Sequence, residues 1–155
     1  MGNLIWHEYA RLVSLTASVY TIWAAFWGIL YRKYFWDFVG GIVRSPGGIQ
    51  PSPNASVMIA IIVKAPVLQI FALILGLGLV AVEYPAPFLK GTVFQRSLII
   101  KIMMLLVQSI VAILFYQGTN GGLWSMIAMG CYIRAVIKGE KMEVAKENRG
   151  RGGKA

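Results

Sequence analysis

The 155 residues are 57% hydrophobic and only 14% charged, with a formal charge of +9, a balance that excludes an ordinary soluble domain and points to an integral membrane protein. Several apolar segments in that length leave room for one helical unit, so a large catalytic domain would have to belong to a partner. The bases stand beside apolar segments, which argues against nucleic acid, and the single cysteine, Cys131, excludes an intrachain disulfide and a Cys/His metal set.

Residues 1–11 hold His7 and Glu8 and lack the basic start and small-residue cleavage site of a signal peptide, so the first apolar segment is expected to stay as an anchor. That segment, 12–31, has 20 residues and no charge. As a helix it would cover about 30 Å, the thickness of the hydrocarbon core. Ser14, Ala17, Ser18, Thr21, Ala24, Ala25 and Gly28 recur three and four apart, which places a stripe of small residues on one face, where another helix can approach closely. The connection 31–56 opens with aromatic and basic residues and continues through glycine and proline, as expected of chain lying along a membrane surface.

The second apolar segment, 57–82, contains Lys64 and Pro66, and the proline is expected to start or kink the helix there. A shorter linker around Pro85 and Pro87 precedes the third segment, 99–116, with Lys101 near its start. Gln117-Gly118-Thr119-Asn120-Gly121-Gly122 reads as a tight turn, and 121–137 is the fourth segment. The expected fold is therefore all-α, a four-transmembrane-helix bundle over residues 1–138 with a basic tail, 139–155. With both ends cytoplasmic, eleven Lys and Arg fall inside and four outside, in line with the positive-inside bias. Asn54 would then lie outside, and its glycosylation would report the side.

Ionisable groups inside apolar segments are the first places to look for function. Lys64, with Gln69 and Gln108, forms a candidate intramembrane polar site, set against the simpler reading of a lysine that snorkels to the surface. Lys101 is read as snorkelling, and Gln108 and Ser109 as hydrogen-bond partners between helices. His7, Glu8 and Arg11 read as an interfacial polar cluster. The isolation of Asp37 and Glu83 argues against paired-carboxylate catalysis, and the ligand density for a metal is missing. No cofactor is implied. In the tail, Lys138, Lys141, Lys146, Arg149 and Arg151 form a docking surface for anionic lipid or a partner, on a fourth helix expected to continue into the tail until Gly150 to Gly153 end it.

Trp6-His7-Glu8-Tyr9, Tyr34-Phe35-Trp36-Asp37, Pro85-Ala86-Pro87-Phe88, Phe115-Tyr116-Gln117-Gly118-Thr119-Asn120-Gly121 and Lys146-Glu147-Asn148-Arg149-Gly150-Arg151-Gly152-Gly153 together resemble a small family of fungal multi-span membrane proteins of unknown function. The resemblance implies a fungal source and adds no catalytic residue; in span count the chain is also similar to MARVEL-type proteins, at the level of architecture. The expected function is non-enzymatic: an accessory or scaffolding subunit in the plasma membrane or an endomembrane. It would present the small-residue stripe to a larger integral membrane protein, for which a fungal source suggests a cell-wall polysaccharide synthase or an ion pump. The alternative is a small homo-oligomeric channel or carrier in which Lys64, Gln69 and Gln108 face a shared path.

Overall fold

A computed structural model of the chain describes residues 4–32, 52–84 and 86–141. Among them the structure is all-helical, with four long helices: α1 (Trp6–Tyr31), α2 (Val67–Glu83), α3 (Leu98–Ile113) and α4 (Thr119–Ile137). Short helical turns at Pro53–Ala55, Ser56–Ile59 and Ala60–Lys64 lead into α2, and others at Pro87–Leu89 and Val93–Arg96 lead into α3.

The second apolar segment is divided at Pro66. The chain closes a wide turn with Ala65 N–H on the Ala60 carbonyl at 2.8 Å, passes through extended backbone at Ala65, and restarts as α2 at an angle of 61°. Proline has no N–H to continue the ladder and disfavours helical backbone at the residue before it, so the break falls where the sequence demands it. α3 begins at Ser97, whose hydroxyl accepts the Ile100 N–H at 3.3 Å, an N-cap placed just before the apolar run.

Two details depart from the expectation. The turn expected over 117–122 is confined to the residues before Thr119, and Gly121 and Gly122 lie inside α4. They serve close approach: a side chain on Gly121 would run into Thr21 of α1, and one on Gly122 into Ile113 of α3. The fourth helix also does not continue into the tail. Gly139 takes a left-handed conformation (φ +70), its N–H bonds to the Val136 carbonyl at 2.9 Å, and the Glu140 N–H bonds to Ala135 at 3.0 Å. This pair of bonds is a Schellman ending, which outweighs the charge pairing that favoured a longer helix.

The helices run alternately up and down. α1 packs on α2 and α4, α3 packs on the same two, and α1 and α3 stand across the diagonal. The start of α1, the end of α2, the start of α3 and the end of α4 consequently meet at one end of the bundle. The interior is small and polar: Ala10, Ala17, Ala25, Ala72, Ala112 and Ala128 are buried with Ser14, Ser18, Thr21, Gln108 and Ser125, around a few larger side chains such as Leu79, Leu105 and Phe115. The exterior carries Trp23, Phe26, Ile74, Ile110 and Ile127. Among the described residues, by length and composition α1 alone qualifies to cross a membrane, Pro53–Lys64 and Val67–Glu83 qualify together as a bent pair, and Leu98–Ile113 is apolar but shorter.

Candidate functional site

The up-and-down order brings together ionisable residues far apart in sequence. Glu83 is the last residue of α2, and Lys101 lies in the first turn of α3, so the linker between them returns one side chain beside the other. The Lys101 ammonium donates to Glu83 Oε2 at 2.7 Å, and the Tyr132 hydroxyl of α4 donates to Glu83 Oε1 at 2.6 Å. From α1, Arg11 Nε donates to the main-chain carbonyl of Glu83 at 2.9 Å. The Lys101 ammonium also stands 5.5 Å from the Tyr132 ring centre. Glu83, Lys101 and Tyr132 are at most 1% exposed. A charge so buried is tolerated only when it is paired and its remaining hydrogen-bonding positions are filled, and here each carboxylate oxygen has its own donor.

One turn further out, Glu140 reaches the start of α1. Its carboxylate accepts the Trp6 N–H at 3.1 Å, the His7 N–H at 2.8 Å and a bond with His7 Nδ1 at 2.9 Å. Ile5, at the N-cap position, has no side chain able to do this, so a residue from the opposite end of the chain caps α1. Desolvation pushes the Glu140 carboxyl up, but the bonds from His7 and Trp6 outweigh it and hold the group below its ordinary value. Beside it the Trp6 ring carries two cations, Arg134 at 4.6 Å and Lys138 at 5.7 Å from its centre.

Among the described residues, the other buried polar contacts between α3 and α4 are uncharged. Gln108 Nε2 donates to Ser125 Oγ at 2.9 Å, Ser125 donates to the Gly121 carbonyl at 2.7 Å, and Ser109 donates to the Gly122 carbonyl at 3.1 Å. At the far end Gln69 Nε2 donates to the Ile62 carbonyl at 2.9 Å across the break before α2, and Arg32 donates to the Lys64 carbonyl at 3.1 Å.

These positions revise several expectations. Lys64 is exposed while Gln69 and Gln108 are buried in separate hydrogen bonds, so the three do not converge on a path. Lys101 is buried and paired instead of snorkelling, and Glu83 is the centre of a cluster instead of an isolated acid. Both were hidden because the partners are 18 and 49 residues apart and meet only when the helices alternate. A usable signal was present: charges just either side of a short linker are neighbours once the flanking helices pack antiparallel. Ser14, Ala17, Ser18, Thr21, Ala24, Ala25 and Gly28 are all buried, turned toward the chain's own α2 and α4. Lys138 and Lys141 are exposed at the charged end; Lys146, Arg149 and Arg151 lie outside the described residues.

Chemically the cluster is self-contained. Both carboxylates spend their oxygens on donors within the chain, which suits them to holding helix ends together. Among the described residues no three His, Cys, Asp or Glu side chains gather as a metal site would require.

A family model described as a domain of unknown function (DUF7727) matches residues 1–140. No curated protein and no solved structure matches the chain.

Proposed function

We propose, for a chain that belongs to the DUF7727 family, that it is a four-span membrane protein acting without catalysis as an accessory or scaffolding subunit of a larger membrane complex. One observation supports the membrane part of this reading: small and polar side chains (Ala, Ser, Thr and Gln) fill much of the interior, while large apolar side chains such as Trp23, Phe26, Ile74, Ile110 and Ile127 face outward on all four long helices. In water such an exterior would drive aggregation; in lipid it is at home, and helices there associate through small residues and interhelical hydrogen bonds. The ion-paired end would sit at the basic, cytoplasmic surface together with both termini.

The burial of the small-residue stripe within the bundle moves the partner surface elsewhere, to the outward faces or the basic end. The channel reading loses its support because its three polar residues do not meet. Extraction with alkaline carbonate followed by purification in mild detergent tests the proposal. The expected result is a chain that stays with the membrane and is recovered with a larger membrane protein. Release by carbonate would refute the membrane assignment, and recovery as a lone oligomer of defined size would favour a channel.

A further inference from the structure

Asn54-Ala55-Ser56 is the one Asn-X-Ser/Thr triplet in the sequence, the acceptor pattern for an N-linked glycan. At the mouth of a straight span over 57–82 it would have little room above the bilayer. The break at Pro66 changes that setting. α2 starts at Val67 and by itself covers about 26 Å, close to the thickness of the hydrocarbon core, so the stretch before it is not needed for crossing. Pro53–Lys64 becomes a separate arm about 18 Å long, inclined at 61° to α2.

The arm leaves the far end of the bundle, where Arg32 at the end of α1 holds the Lys64 carbonyl and Gln69 holds that of Ile62. Ile62 is buried and anchors its inner part, whereas Ser52, Asn54, Ser56 and Val57 at its tip are exposed. The tip is a tight turn: Ser52 Oγ accepts the Asn54 N–H at 3.3 Å, and the Ser52 carbonyl accepts the Ala55 N–H at 2.8 Å. Ser52 therefore satisfies the backbone locally, and among the described residues no hydrogen bond engages the Asn54 carboxamide or the Ser56 hydroxyl. The two groups that a glycan transferase reads, the acceptor amide and the hydroxyl two residues on, both stand open at the surface.

We propose that Asn54 is an N-glycosylation site, modified on the side of the membrane away from the basic end. Asn54 Nδ2 forms a bond to the anomeric carbon of an oligosaccharide carried on a polyprenyl diphosphate. The bond from sugar to diphosphate breaks, the diphosphate leaves with the electron pair, and the amide gives up one proton. The site rests on the membrane reading with the charged end cytoplasmic, because only then does the arm face the compartment in which the transferase works.

The test expresses the full chain in yeast and follows its gel mobility and intact mass with and without peptide N-glycosidase. The native chain should show one discrete shift that the glycosidase removes. Asn54→Gln and Ser56→Ala should lose that shift completely, and Ser56→Thr, which keeps the hydroxyl, should retain it. Gly150→Thr completes a second triplet at Asn148 in the basic tail and should add no glycan. A native chain that resists carbonate yet shows no shift, or a shift that survives Asn54→Gln, would overturn the site. Modification of the Gly150→Thr chain at Asn148 would overturn the orientation beneath it, and release by carbonate would remove the membrane reading, so the failures are distinct.

Discussion

The two ends of the bundle are held by different physics. At one, Glu83 gathers an ammonium, a phenol and, through its main chain, a guanidinium from three other helices, and Glu140 caps α1. At the other, the exposed Arg32 guanidinium bonds the Lys64 carbonyl at the surface, but the buried contacts are neutral: a side-chain amide meets a backbone carbonyl at Gln69 and Ile62, and glycine lets elements approach closely, since a side chain on Gly118 would overlap the Ala112 carbonyl oxygen. The charged end depends on complete pairing, because each member of a buried ionic cluster is costly once its partner is gone. The neutral end depends on volume, and its failure mode is steric.

Substitutions at each end should separate these two dependences. Glu83→Ala leaves the buried Lys101 ammonium without its carboxylate and should cost about 3–5 kcal/mol in denaturant unfolding in detergent. Glu83→Gln combined with Lys101→Met should recover most of that loss, because it removes the charge along with its partner; equal losses would deny that pairing controls this end. Gly118→Ala should cost about 1–3 kcal/mol through overpacking, whereas Gly130→Ala, with nothing within 4 Å of the added atom, should be neutral or stabilising by up to about 1 kcal/mol. If the two glycines behave alike, close approach does not govern the neutral end. Tyr132→Phe removes one donor to Glu83 and should cost about 1–3 kcal/mol by the same measurement.

The smallest loss, about 1 kcal/mol, is expected for Glu140→Gln, on the scale of a helix cap. Its signature is in the pH dependence. The carboxyl is held below its ordinary 4.5, so its stabilisation is fully present above that pH and is lost as pH falls through the lower folded value. Unfolding temperatures between pH 6 and acid should therefore fall more steeply for the native chain than for the variant.

Much of the helical layout is legible in the sequence, because apolar length, the stripe on α1 and the Pro66 break are local or periodic signals. Gly139 is also a local signal, but it is overridden when the interleaved charges after Ile137 are read as helix. Gly121 and Gly122 show the opposite error: their turn propensity is real, yet contact with Thr21 and Ile113 sets their use. The charged end is the least legible part. Snorkelling and burial are both open to Lys101 in sequence, and only the arrival of Glu83 and Tyr132 decides between them.

The contact between Glu140 and the start of α1 ties residues 133 apart, a loop whose length-dependent closure entropy is about 4 kcal/mol. A single carboxylate cannot recruit its partner across that distance; the packed helices must first bring the two ends within reach. The clasp is therefore expected to form late in assembly, after the rate-limiting barrier to folding, and to contribute to the barrier to opening. Its loss should quicken unfolding and leave refolding at its original rate, making this carboxylate a determinant of how long the bundle stays shut.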